Sequence, residues 1–163
     1  MTPDVTVVVD TDVVSFLLKD DTRARAYRPH LQDKTLALSF MTVAELYQWA
    51  YLRNWSERRL TWLEERLRAF VIVPYDNDLC RRWAMICVER QRLGKPISVQ
   101  DAWIAATALR HGASLVTHNR QDFDNITNLR IISESSPYEP RASRKCLLSL
   151  TGPVWHPSGL CRL

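Results

Sequence analysis

The chain has 163 residues, a length that fits one compact domain, and its 46% hydrophobic and 25% charged residues are typical of a globular protein rather than a disordered or fibrous one. Its apolar runs are far shorter than the roughly 20 residues that a membrane-spanning helix needs. The net charge of +4 is compatible with a polyanionic partner but does not by itself identify one. Because the first residues also lack the pattern of a signal peptide, we expect a cytoplasmic protein.

The cysteines give no sign of a disulfide framework. The four of them include no C-x-x-C pair. A zinc site could be drawn from Cys146, His156 and Cys161, but their spacing matches no usual zinc pattern. The cysteine content therefore agrees with a reducing compartment.

Apolar patterning predicts strands that alternate with helices. The run at residues 5–9 consists entirely of β-branched residues, which is typical of a strand buried on both faces. Later strands are predicted at residues 35–39, 71–75, 114–117 and 129–132. Between them, apolar residues at three- and four-residue intervals predict helices. The predicted helices cover residues 13–18, 22–31, 42–53, 56–70, 79–93 and 99–110.

This order predicts an α/β protein, a three-layer α/β/α sandwich around a mainly parallel central sheet of about five strands. The composition changes near Ser136, since residues 137–163 contain several prolines and no clear apolar period. We predict one domain over residues 1–136 and a tail over residues 137–163 that has no core of its own.

Four acidic residues are predicted to lie at strand ends or helix starts. Asp10 follows the first strand, and Asp122 follows the fourth. Glu45 and Asp101 lie in the first turns of two predicted helices. Because active sites in parallel α/β sheets gather at the carboxyl ends of the strands, we expect these carboxylates to share a pocket.

Such a pocket predicts a particular chemistry. Carboxylates that share a site repel one another, and without a counterion some of them would take up protons. A divalent cation removes this conflict, and Mg²⁺ or Mn²⁺ prefers oxygen ligands. A bound cation of this kind activates water and stabilises the charge that builds up on a reacting phosphate. The pattern therefore predicts phosphodiester hydrolysis.

Each acid also has a purely structural interpretation. Thr42 and Glu45 have the spacing of a capping box, in which the glutamate only bonds back to the start of its helix. Ser98 and Asp101 have the same spacing. The other two acids could cap the helix or turn that follows them. The functional interpretation depends on all four acids occurring together.

Segments 8–12, 39–46, 101–108 and 115–123 carry these acids in an order and spacing that resembles the PIN-domain nucleases. Within that family, the chain resembles the VapC-type toxins of bacterial toxin–antitoxin pairs, over residues 1 to about 134. The resemblance implies a PIN-like sandwich fold and a metal-dependent endoribonuclease.

The resemblance also implies roles for individual residues. The implied ligands of Mg²⁺ or Mn²⁺, direct or through water, are Asp10, Glu45, Asp101 and Asp122. The implied supporting residues are Thr11, Thr117, Asn119 and Asp124, and either of the last two could take the place of Asp122. Asp12 is a departure, because relatives often have asparagine there. Its charge could tighten metal binding or point away from the pocket.

The partners implied by the resemblance are an RNA substrate, a small VapB-like antitoxin that covers the acidic groove with a basic side chain, and a second copy in a homodimer. An aromatic stretch is a candidate for one of these surfaces, although aromatic residues at helical spacing often belong to the core. This stretch consists of Tyr47, Trp49, Tyr51 and Trp55.

Three alternatives stay open. The same chemistry could serve an RNA-processing nuclease that has no antitoxin. An apolar strand followed by Asp10-Thr11-Asp12 is also typical of haloacid-dehalogenase-like phosphatases, in which Asp10 would be the nucleophile and Asp12 the general acid. The phosphatase interpretation also requires a lysine later in the sequence, and Lys95 is the only suitable one. The third alternative is a catalytically silent RNA-binding module.

Overall fold

A computed structural model of the chain describes residues 5–134. Strands and helices alternate along this part of the chain, as the sequence predicts. The strands are β1 (Thr6–Val9), β2 (Thr35–Ser39), β3 (Val71–Val73), β4 (Ser114–Val116) and β5 (Ile131–Ile132). The helices are α1 (Thr11–Lys19), α2 (Ala24–Leu31), α3 (Phe40–Leu52), α4 (Glu57–Leu67), α5 (Asn77–Arg92), α6 (Val99–Arg110) and α7 (Arg120–Phe123).

The five strands form one parallel sheet in the order β3-β2-β1-β4-β5. The chain builds outward from β1 to β2 and β3 on one side, then crosses back to place β4 and β5 on the other side. The order therefore reverses between β1 and β4. In open parallel sheets, ligands bind at the carboxyl ends of the strands beside such a reversal.

Helices cover both faces of the sheet, which confirms the predicted three-layer sandwich. Val7 and Val9 point to one face, where their core includes apolar residues of α1, α2, α3 and α4. Val8 points to the other face and packs with residues of α5, α6 and α7. Because both faces are covered, β1 is apolar at successive positions instead of alternating.

Helix α3 starts earlier than predicted. Ser39, the last residue of β2, is its N-cap, and the Ser39 Oγ accepts a hydrogen bond from the Met41 N–H at 3.3 Å. The predicted capping box of Thr42 and Glu45 is therefore wrong. Thr42 is fully buried inside the helix, and a hydroxyl three residues earlier already caps the helix where the strand ends.

Other boundaries differ by a few residues. Strand β3 ends at Val73, two residues short of the prediction, because Pro74 has no N–H to continue the pairing. Pro29 lies inside the last turns of α2, and Gly94, at φ +66°, follows the end of α5. Over residues 5–134, no helix is both long and apolar enough to span a bilayer. The predicted domain end near Ser136, the tail 137–163 and the drawn zinc site lie outside the described residues.

Candidate active site

Asp10 lies at the reversal of the sheet. Its backbone N–H donates to the Val116 carbonyl at 2.9 Å and so extends the pairing of β1 with β4. Its carboxylate is only 5% exposed and accepts two hydrogen bonds, from the Thr11 N–H and from the Thr117 hydroxyl, each at 2.7 Å. The residues that follow β1 and β4 thus fix both oxygens of this carboxylate.

The electrostatic surroundings of Asp10 show that several acids converge there. Burial raises the pKa of Asp10 well above its ordinary value, and the nearby charges of Asp12, Asp101 and Glu45 raise it further. The hydrogen bond from Thr117 acts in the opposite direction. The site therefore concentrates negative charge around a carboxylate that water cannot fully solvate.

Glu45 reaches this site through a contact between helices. The hydroxyl of Thr11, in the first turn of α1, donates to Glu45 Oε2 at 2.6 Å. The hydroxyl of Thr42 lies 3.3 Å from that of Thr11. Glu45 is consequently held by a residue 34 positions away in the sequence.

Asp101 combines a structural role with a place in the site. Its backbone N–H donates to the Ser98 hydroxyl at 3.1 Å, which confirms the predicted cap of α6. The Ser98 hydroxyl in turn donates to Asp101 Oδ2 at 2.6 Å. Asp101 is 6% exposed, and its charge acts on Asp10. The cap therefore holds this carboxylate at the carboxyl edge of the sheet.

Asp12 is part of the same cluster, although the sequence alone could not show whether its side chain points into the site or away from it. Its carboxylate accepts hydrogen bonds from the Val13 N–H at 2.6 Å and from the His118 N–H at 3.1 Å. Among the charged groups, it has the largest effect on the pKa of Asp10. The sequence signal was its position two residues after Asp10, which places both acids at the start of α1.

The last predicted ligand is placed differently. Asp122 lies on the short helix α7, and its carboxylate forms no hydrogen bond or ion pair with any residue in 5–134. Asp124 lies 3.6 Å from Arg120 in an ion pair, and its carbonyl accepts a hydrogen bond from Arg90. The structure thus gathers Asp10, Asp12, Glu45 and Asp101, whereas the roles of Asp122 and Asp124 stay predictions.

Asn119 supports the centre of the site through its backbone. Its N–H donates to the Thr117 hydroxyl at 3.1 Å, and that hydroxyl donates to Asp10. Thr117 is fully buried, so this chain of hydrogen bonds is shielded from water. The predicted supporting residues Thr11, Thr117 and Asn119 therefore all contact the acids or the groups that orient them.

The residues of the site suit a divalent cation that keeps part of its water shell better than one that is bound by protein ligands alone. Within residues 5–134, no three His, Cys, Asp or Glu side chains form a ready-made metal cage. Magnesium does not need one, because it keeps several waters and is usually bound by one or two carboxylates together with substrate phosphate. The donors at the site are carboxylate and hydroxyl oxygens, the ligands that a hard cation prefers. A cation would also offset the repulsion around Asp10.

Comparisons with known proteins agree with this geometry. Residues 7–129 match the PIN domain family. The chain is 33% identical over 129 residues to ribonuclease VapC1 of Haemophilus influenzae, a match that covers 76% of this chain and 93% of the relative. It is also 33% identical over 143 residues to the VapC ribonuclease Y4jK of Sinorhizobium fredii, with 82% and 99% covered.

A similar fold occurs in a solved structure of VapBC-1 from nontypeable Haemophilus influenzae. The TM-score is 0.69 at 28% identity, and the match covers 78% of this chain and 97% of the other. The relatives named in these matches are ribonucleases, and the matches give no support to the phosphatase alternative. The chain therefore belongs to the PIN domain family, and within that family to the VapC ribonucleases.

Proposed function

We propose that the protein is a Mg²⁺- or Mn²⁺-dependent endoribonuclease that hydrolyses RNA phosphodiester bonds with water, and that it is the toxin of a toxin–antitoxin pair. One observation carries the proposal: the buried carboxylate of Asp10 sits at the reversal of the sheet with the charges of Asp12, Asp101 and Glu45 directed at it. Clustered carboxylates can hold a divalent cation, and such a cation catalyses phosphodiester hydrolysis. The relatives that are named ribonucleases support the same chemistry.

The cation would be held by Asp10 and Asp101, with Glu45 and Asp122 binding directly or through water. When bound, it lowers the pKa of the attacking water and stabilises the negative charge on the reacting phosphate. Thr11 and Thr117 keep Glu45 and Asp10 in fixed orientations through hydrogen bonds of 2.6 and 2.7 Å. Fixed ligands lower the reorganisation that the reaction requires.

Glu45 suits the task of accepting a proton from the attacking water. It is half-buried, whereas Asp10 and Asp101 are buried, so it lies nearest to solvent among these three. The Thr11 hydroxyl donates to Glu45 Oε2 and holds this carboxylate in a fixed orientation. Asp10 and Asp101 then serve mainly to hold the cation and, through it, the phosphate.

The partner that we propose is a small antitoxin whose basic side chain enters the acidic pocket. Support comes from the similar solved structure, which is of a VapBC complex. A cationic side chain would offset the repulsion among the buried carboxylates as a metal ion does. We also propose that the protein acts in the cytoplasm, where RNA is available, and that it forms a homodimer.

The proposal is tested by induced expression in a bacterial host, with wild type beside Asp101→Asn. Asparagine can still accept the hydrogen bond from Ser98, so the variant keeps the cap of α6. We expect growth arrest from wild type only, and relief of that arrest when a small neighbouring gene for the antitoxin is co-expressed. Arrest by both proteins or by neither would contradict the proposal. Arrest that no neighbouring gene relieves would favour an RNA-processing nuclease.

Thr117→Val tests the orientation of Asp10. Valine has a similar shape but cannot donate to Asp10 or accept from the Asn119 N–H. Losing a buried hydrogen bond to a charged group costs about 1.5 kcal/mol or more, so we expect cleavage to slow by about tenfold. Thr107→Val is the matched control, because Thr107 is equally buried but donates to the Trp103 carbonyl within α6. Equal rates for the two variants would show that the Thr117 hydroxyl does not act on Asp10.

A further inference from the structure

Three tryptophans of α3, the loop after it and α4 contact one another in a row. The rings of Trp49 and Trp55 are 4.9 Å apart between centroids, and those of Trp55 and Trp62 are 6.3 Å apart. All three are only half-buried. We call these residues the tryptophan row. Trp55 and Trp62 pack against the core that lies under α1 to α4, so only part of each ring is open to solvent.

Each tryptophan of the row has a cation over its ring. Arg59 lies 4.0 Å from the ring centre of Trp55, and Arg66 lies 5.7 Å from that of Trp62. Two cations lie over Trp49, namely Lys19 at 4.8 Å and Arg53 at 5.1 Å. Stacking holds a guanidinium in place while the N–H groups at its edge can still bind a ligand. Arg59 and Arg66 are exposed, and neither forms an ion pair within residues 5–134.

The charged residues of α4 are distributed unevenly around the helix. At about 100° per residue, Arg59 and Arg66 lie within about 20° of each other around the helix, and Trp62 lies about 60° from Arg59. Among the glutamates of the helix, Glu57 and Glu64 lie at least about 140° from both Arg59 and Trp62. Glu65 lies about 60° from Trp62 and about 100° from Arg66. The side of α4 that carries the two arginines is therefore cationic, and Glu65 borders it beyond Trp62.

The row starts beside the acidic pocket. Trp49 follows Glu45 by four residues, so it lies one turn further along the same face of α3, about 6 Å away. Lys19 ends α1, about 12 Å along this helix from its start beside Asp10. The cations over the row thus continue outward from the pocket along α3 and α4.

We propose that the cations of the tryptophan row bind the phosphates of the RNA strand next to the bond that is cut. This inference rests on the proposed function. A pocket of converging carboxylates repels a polyanion at every phosphate except the one that the metal holds, so attraction must come from a neighbouring surface. Guanidinium groups bind phosphate with two parallel hydrogen bonds.

Binding of a labelled single-stranded RNA tests this in the full chain, with Asp101→Asn present to prevent cleavage. The test variant adds Arg59→Gln and Arg66→Gln. The matched control instead adds Arg81→Gln and Arg92→Gln, which remove the same charge from exposed positions of α5 on the other face of the sheet. We expect the test variant to bind about tenfold more weakly at low salt. We also expect its plot of log affinity against log salt to be shallower by about 1.4, the value for two lost phosphate contacts on a single strand.

The inference would be overturned if the test and control variants lost RNA affinity equally, or if the test variant lost none. Lysine at positions 59 and 66 gives a finer test. Arg59→Lys with Arg66→Lys should keep the salt dependence yet weaken binding severalfold, and full wild-type affinity would overturn the role of the stacked guanidinium. Loss of self-association in the test variant with unchanged RNA binding would instead make the row an interface between copies.

The outcome is separable from that of the proposed function. If wild type cleaves RNA with Mg²⁺ and the test variant binds RNA as tightly as its control does, only this inference fails. If purified wild type does not cleave RNA at all, the proposed function fails first.

Discussion

Asp10→Asn is expected to abolish RNA cleavage and, in metal-free buffer at neutral pH, to increase the free energy of unfolding. The amide oxygen of asparagine can keep the hydrogen bond from the Thr11 N–H, and its NH2 group can donate to the Thr117 hydroxyl in place of the bond that this hydroxyl donates to Asp10, so the local structure should be kept. It removes a buried charge that faces Asp12, Asp101 and Glu45. We expect a gain of about 1–2 kcal/mol, or several degrees in Tm for a domain of this size.

The pH dependence of the free energy of unfolding shows why Asp10→Asn should stabilise the metal-free protein. Since the pKa of Asp10 is raised in the folded protein, the folded state holds this proton more tightly than the unfolded state does. The free energy of unfolding of the metal-free wild type should therefore fall as the pH rises. The fall should begin near the ordinary pKa of aspartate and continue until the pH has passed the raised pKa of Asp10. Asp10→Asn should lose less over the same range. Denaturant unfolding at several pH values measures both, with Glu65→Gln as a control at an exposed carboxylate. A destabilised Asp10→Asn would contradict the account.

Removal of the metal is expected to have an equally large effect on activity. EDTA should stop cleavage by wild type, and Mg²⁺ or Mn²⁺ should restore it, because the carboxylates alone repel the phosphate. Mg²⁺ should also raise the Tm of wild type, since a ligand at 100 times its Kd stabilises the fold by about 2.7 kcal/mol. Asp10→Asn should show a much smaller rise. Cleavage at the same rate in EDTA would refute the metal mechanism.

The placement of Asp10 and Asp101 could be predicted because local rules determine it. An acid directly after a buried parallel strand must lie at the carboxyl edge of the sheet, and β1 proved to border the reversal of strand order. The Ser98 hydroxyl caps α6 in the predicted way and thereby holds Asp101. A pattern can express both the three-residue spacing of Ser98 and Asp101 and the position of Asp10 directly after β1, whereas it cannot express the bond from Thr117, 107 positions away, that orients the Asp10 carboxylate.

The positions of Glu45 and Asp12 depend on contacts between distant segments. Ser39 and Thr42 are both residue types that cap helices. Ser39 is the N-cap because β2 ends at this residue and α3 begins directly after it. The bond from Thr11 to Glu45 spans 34 residues, and the bond from the His118 N–H to Asp12 spans 106. No local period encodes such pairs, so the sequence could propose Glu45 as a site residue but could not say what would hold it.

The segment that carries Asp122 was hardest to predict. It forms the four-residue helix α7, which has no side-chain hydrogen bond at its cap and too few residues for an apolar period. Because Asp122 follows β4, the sequence predicts that it lies near the carboxyl edge of the sheet. The direction of its carboxylate, however, depends on how this short helix packs. Comparing Asp122→Asn with Asp124→Asn would assign the role, and we expect the greater loss of activity for Asp122→Asn.

The most direct test of the central claim is cleavage of one defined RNA by purified wild type and by Asp101→Asn, each in Mg²⁺ and in EDTA. The account predicts cleavage by wild type in Mg²⁺, none in EDTA, and a rate for Asp101→Asn that is lower by at least about a hundredfold, as expected for loss of a metal ligand. The cut should fall within the strand and not at its ends. Equal cleavage by both proteins in Mg²⁺, or cleavage that persists in EDTA, would show that the clustered carboxylates are not the catalytic site.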